Sequence, residues 1–143
     1  MHDCSCDYDP PAFYLRSTPK ARKRHHCHEC GGTISPEETY ERVCAKWEDG
    51  VDTIKTCERC VDLRTWVKNN VPCLCIMHGN QDEECQEAID AACSRAPLET
   101  VGLRFGYLRR KEMRSRHNQQ TRAALGTLTN TQPKHLSVGG GGG

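Results

Sequence analysis

The sequence predicts a small α+β domain that cannot hold itself together by apolar packing alone. Three observations carry this. Residues 39–56 alternate with a period of two, residues 58–70 and 82–94 repeat their apolar positions at helical spacing, and only 6% of the 143 residues are aromatic while eleven are cysteine. Hydrophobic residues make up 36% of the chain, with two Phe and two Trp. A chain of this length with so little apolar mass needs a second source of stability.

Residues 1–26 read as an extended, irregular segment, because Asp9-Pro10-Pro11 and Thr18-Pro19 oppose helix. In the next segment Val43, Ala45 and Trp47 alternate with Arg42, Cys44 and Lys46, as in a half-buried strand. Glu48-Asp49-Gly50 supplies a hairpin turn, and Val51, Thr53 and Ile54 a β-branched return strand. The first helix places Leu63, Trp66 and Val67 on the side of Cys60, and Asn69-Asn70 and Pro72 end it. In the second, Cys85, Ala88, Ile89, Ala92 and Cys93 form one stripe, with Asp82, Glu83 and Glu84 in the first turn where the helix dipole favours acids. A third helix is expected over about 98–117, apolar at Leu98, Val101, Leu103, Phe105 and Leu108 and basic from Arg109 onward. Residues 118–143, rich in Gln, Thr, Asn and Gly, read as a disordered tail ending in a glycine linker.

The cysteines supply the missing stability. The sequence starts without a basic stretch followed by an apolar run, so no signal peptide is expected, and no apolar run is long enough to span a membrane. An odd cysteine count also suits a disulfide framework poorly, which favours metal thiolates in a reducing cytosol. Cys27-His28-Glu29-Cys30 and Cys57-Glu58-Arg59-Cys60 are two C-x-x-C pairs 26 residues apart. Each pair lets one tight turn present two thiolates to one ion, and Gly31-Gly32 eases the first turn. Two pairs complete a tetrahedral Cys4 shell, for which zinc is the expected ion. Four protein ligands leave no open position, so the site is expected to be structural and the protein not an enzyme. Cys4, Cys6, Cys73 and Cys75, with His78 as an alternative ligand, are candidates for a second zinc. The competing reading gives them free thiols or packing roles. Cys44, Cys85 and Cys93 read as small core residues.

The order of cysteine knuckle, β-hairpin and a cysteine pair opening a helix resembles the treble-clef zinc finger, followed here by two further helices. The expected units are an extended segment 1–26, a treble-clef-like module 27–76, a helical extension 77–117 and the tail. The runs Thr18-Pro19-Lys20-Ala21-Arg22-Lys23, Cys27-His28-Glu29-Cys30-Gly31-Gly32-Thr33-Ile34 and Tyr40-Glu41-Arg42-Val43 resemble small cysteine-rich proteins encoded by tailed bacteriophages and prophages. Lys55-Thr56-Cys57, Cys4-Ser5-Cys6, Val71-Pro72-Cys73-Leu74-Cys75 and Gly106-Tyr107 before Arg109-Arg110 extend the resemblance over most of residues 3–110. It implies zinc and a bacterial host cytosol, and transfers no activity.

Net charge is +1, but its distribution is uneven. Residues 16–28 carry five bases and no acid, and residues 29–62 nine acids against four bases. Residues 77–100 carry six acids and one base, and residues 101–122 seven bases and one acid. Such alternation is either a partner footprint or internal charge matching. Two partners fit a footprint. The first is a host protein, engaged by a zinc-stabilised binding module. The alternative is nucleic acid, bound through segments 16–24 and 104–116. Arg22, Lys23, Arg24, Arg109, Arg110, Lys111, Arg114 and Arg116 are the candidate contacts for either. Residues 47–66 contain no histidine, and no phosphate-cradling loop, catalytic triad or carboxylate pair is evident, so neither a small-molecule substrate nor a membrane is an expected partner.

Overall fold

The computed structural model describes residues 12–76 and 78–141, with side chains of the last helix described to residue 126. The elements in chain order are β1 (Phe13–Ser17), β2 (His25–His26), β3 (Thr33–Ile34), β4 (Tyr40–Trp47), β5 (Gly50–Cys57), α1 (Glu58–Asn70), α2 (Gln81–Arg95) and α3 (Leu103–Gly141). The architecture is α+β, with three helices and two antiparallel sheets among the described residues.

The expected hairpin forms β4 and β5. They pair from Tyr40 opposite Cys57 to Trp47 opposite Gly50, leaving Glu48-Asp49 as the loop. Gly50 has a φ of 131°, a conformation that a β-carbon would strain. Period-two burial follows: Val43 and Ala45 point into the protein while Arg42 and Lys46 face solvent.

The segment before residue 26 is less irregular than expected. Phe13-Tyr14-Leu15, rich in β-formers, pairs antiparallel with β4 as β1, and the order of the sheet is β1-β4-β5. The proline pairs that argued against helix stand at either end of this strand and are compatible with it. Lys20 then bridges to Thr39, and β2 pairs with β3 through His25–Ile34 and His26–Thr33.

Helix α1 spans the expected 58–70, and α2 exceeds its expected range by one residue at each end. The third helix differs more. It starts at Leu103, five residues late, because residues 97–102 form turns after Pro97. It also continues beyond 117 into the stretch expected to be disordered. Gln119, Gln120, Arg122, Ala123, Ala124 and Leu125 are sound helix formers, Asn118 ties this stretch to the cysteine cluster, and His117 faces Glu38.

Two cores result. The helical core packs Leu63 and Val67 of α1 against Cys85, Ile89 and Ala92 of α2 and Leu103 and Tyr107 of α3. The other joins Ala21, Ile34 and Tyr40 to Cys27, Cys57 and Cys60. Helix α1 serves both, so the expected border at residue 77 does not divide the packing.

A carboxylate buried between sheet and helix links the halves. Glu41 of β4 accepts from Arg16 Nε at 2.8 Å and from Arg64 Nη2 of α1 at 2.6 Å. Changing Glu41→Ala leaves the half-buried Arg64 without its acceptor. The expected loss is about 2 kcal/mol, read as a lower urea midpoint with an unchanged slope.

Candidate metal centre

The first knuckle turns because Gly31 takes a φ of 71° and donates its N–H to the carbonyl of Cys27 at 3.0 Å. That turn aims Cys27 and Cys30 at the end of β5, where Cys57 occupies the N-cap of α1 and Cys60 its first turn. Cys27 and Cys60 Sγ lie 3.7 Å apart, and Cys30 and Cys57 Sγ 3.8 Å apart. All four ligand atoms lie within 4.8 Å of one another. A tetrahedral ion with bonds of about 2.3 Å to sulfur sets neighbouring sulfurs about 3.8 Å apart, so the cluster is dimensioned to hold a metal. Among the described residues it is the sole such group of three or more His, Cys, Asp or Glu side chains.

The surroundings favour thiolate. Cys27 Sγ accepts the backbone N–H groups of Glu29 at 3.4 Å and Cys57 at 3.3 Å, and Cys30 Sγ that of Gly32 at 3.4 Å. The N-terminus of α1 adds its dipole. Hydrogen bonds from Cys27, Cys57 and Cys60 hold the Cys30 thiol well below its ordinary range. Sharing with Cys27, Cys30 and Cys57, together with burial, pushes Cys60 above its own. Four sulfurs this close cannot all ionise unaided, and a dication removes the conflict.

The outer layer comes from far along the chain, and the sequence reading missed it. Arg114 Nη1 donates to Cys60 Sγ at 3.5 Å, and Asn118 Nδ2 to Cys30 Sγ at 3.5 Å. Arg114 also forks onto Asp82 of α2, with Nη1–Oδ1 2.9 Å and Nη2–Oδ2 2.6 Å. Burial opposes the Arg114 charge, but Asp82 and Cys60 outweigh it and raise its pKa. A β-carbon at Gly32 would run into the amide of Asn118, so glycine there lets α3 approach the knuckle. Glu29, a spacer residue of the first pair, accepts the backbone N–H groups of Gly79 and, at 2.8 Å, Gln81. The knuckle thereby caps α2. No local pattern marks these residues, because their partners lie dozens of positions away.

Of the expected second site, Cys73 and Cys75 Sγ lie 3.7 Å apart. Cys4 and Cys6 lie outside the described residues. His78 faces Tyr14 instead, with Nε2 3.1 Å from the hydroxyl and the rings stacked. Cys85 is buried in the helical core, which pushes its thiol up to about 11.

The basic candidates separate into two groups. On α3, charge is largely matched internally: Arg104 pairs with Asp90, Arg114 with Asp82, and Arg116 with Glu112. Arg110 lies 4.1 Å over the Trp66 ring, and Lys111 lies 5.4 Å over Tyr107. Arg114, only 7% exposed, is therefore part of the metal surroundings and not a partner contact. Arg109, Arg22, Lys23 and Arg24 are exposed and carry no ion pair among the described residues. No described helix is long and apolar enough to cross a membrane. No family model, curated protein or solved structure matches the chain.

Proposed function

We propose that the protein is a zinc-stabilised binding module that docks another protein through the outer face of α3 and the turn before it. The carrying observation is an exposed apolar stripe. Val101, Phe105 and Leu108 recur at helical spacing and are 67%, 75% and 55% exposed, and Leu98 beside them is 90% exposed. Leu103 and Tyr107, on the opposite side of the helix, fill the core. Four large apolar side chains left in water, two on α3 and two in the turns just before it, mark an interaction site better than a solvated helix does. The unpaired Arg109 next to Leu108 suits a partner helix with an apolar face and an acidic rim.

Four cysteine sulfurs within 4.8 Å of one another, three of them buried and Cys30 partly so, support zinc as the ion, and the order knuckle, hairpin, helix supports a treble-clef arrangement. A closed four-sulfur shell supports a structural role over catalysis. The resemblance to phage-encoded proteins supports a partner supplied by a bacterial host, met in a cytosol that keeps the four thiols reduced.

The test is a pair of exposed changes, Phe105→Asp with Leu108→Asp. Circular dichroism and metal content should stay as in the parent, since neither residue is packed. Affinity capture from host lysate should retain a protein on the parent and lose it on the variant. Equal retention by both would sink the reading. A parent that is itself dimeric by sedimentation, and monomeric as the variant, would assign the face to a second copy instead.

A further inference from the structure

A second surface, built from other elements, has a different chemistry. The register of the β1-β4-β5 sheet sets Phe13, Leu15 and Ser17 of β1 beside Lys46, Cys44 and Arg42 of β4, and these beside Val51, Thr53 and Lys55 of β5. This is the outer face, since the intervening Glu41, Val43 and Ala45 are buried. Its nine positions include three cations and no carboxylate. Arg42 lies directly across from Lys55, a like-charge pair that costs stability in a sheet. Glu41 and Asp52, adjacent in sequence, belong to the opposite face, and Glu48 and Asp49 sit at the hairpin tip, at the other end of the strands.

At the Arg42 end the face opens into a cavity of about 450 Å³. Lys20, Arg22, Lys23, His25 and Arg42 line it, with Ser17 at the strand end and no acidic residue. Among the described residues Lys20, Arg22, Lys23 and Arg42 form no ion pair, whereas Arg16, Arg59, Arg64, Arg104, Arg114 and Arg116 all have carboxylate partners. The first four cations share one concavity. Lys55 is turned toward the same place, with Nζ 3.1 Å from His25 Nδ1.

We infer that this sheet face and its cavity bind the phosphodiester backbone of single-stranded nucleic acid. Unpaired cations around a concavity fit successive phosphates. Phe13 and Leu15, exposed on the same face, offer a surface on which unpaired bases stack, which a duplex does not present. The platform needs none of the α3 residues, most of whose charge is spent inside the protein.

Fluorescence anisotropy with the full chain tests this, using labelled oligothymidylate, oligouridylate and a DNA duplex at low and high salt. Both single strands should bind at low salt. Neutralising four phosphates should give a slope of about −3 in log affinity against log salt. The combined variant Arg22→Glu, Lys23→Glu and Arg42→Glu should weaken binding at least about tenfold with unchanged circular dichroism, since all three side chains are exposed. Phe13→Ala should weaken the single strands and leave any duplex binding unchanged. Tighter binding of one single strand assigns RNA or DNA as the source. The Phe105→Asp, Leu108→Asp variant should bind as the parent does, which separates this inference from the docking face on α3. No binding at low salt, preference for the duplex, or parental affinity in the charge-reversed variant would overturn it.

Discussion

Replacing Cys60 by serine should abolish metal binding and unfold the part of the protein built around the cysteines. Cys60 is fully buried and touches the other sulfurs of the cluster. Apparent zinc contributions in small metal-dependent folds are about 10–16 kcal/mol, while whole-domain stability is about 5–15 kcal/mol. The small core of Ala21, Ile34 and Tyr40 cannot make up such a loss. Elemental analysis should find one zinc per parent chain and none per variant. Far-ultraviolet dichroism should lose its sheet contribution, and helical signal should fall with it because α1 belongs to both cores. Each thiol must shed its proton to bind as thiolate, so parental zinc affinity should fall as pH falls, and acid should reproduce the variant's spectrum. A variant that keeps its metal and melts within a few degrees of the parent would refute the structural role.

The second large effect is expected at Arg114. Truncation to alanine removes a buried guanidinium that forks onto Asp82 and touches Cys60. Breaking a buried pair by removing one member costs about 3–5 kcal/mol. Asp82 keeps partial access to water, which places Arg114→Ala near the lower end, about 3 kcal/mol by chemical denaturation. Adding Asp82→Asn should recover part of that loss, a coupling that a double-mutant cycle measures directly. Losing a hydrogen bond to a ligand sulfur should also weaken metal binding by about 10- to 100-fold in a competition titration. An Arg114→Ala protein with parental stability and metal affinity would show that the contact to the cluster is incidental.

Much of this was legible in sequence, for identifiable reasons. The C-x-x-C spacing dictates local geometry, so the four ligands could be named before any fold was known. The hairpin and α1 were legible because their patterns are short-range: alternation from Arg42 to Trp47, and Cys60, Leu63 and Val67 on one helical side. What failed was long-range. Pairing of β1 with β4 joins residues about thirty positions apart, and the prolines around it obscured a five-residue strand. Glu29, Arg114 and Asn118 look like ordinary surface residues until the partners they meet are known. The third helix read as apolar at Leu98, Val101, Leu103, Phe105 and Leu108, yet of these only Leu103 is buried, beside Tyr107, while the other four are exposed. Composition marked all five alike, and only the packing of α1 and α2 decides between them. The basic runs carried a similar ambiguity. The α3 cations are largely matched by carboxylates or aromatic rings, and the cluster before β2 is not.

The reach of α3 to the cysteine cluster has a consequence for the order of events during synthesis. All four sulfurs have left the ribosome once residue 60 is out, well before Arg114 and Asn118, which lie 54 and 88 positions from the cysteines they contact. An ion captured by the nascent chain therefore sits first in an open cup, where it exchanges readily and a wrong metal can still be rejected. When α3 arrives and lays its guanidinium and amide against the sulfurs, the cup closes. The same side chains that would tune the finished site would thus act as a latch, fixing whichever ion is present when α3 packs.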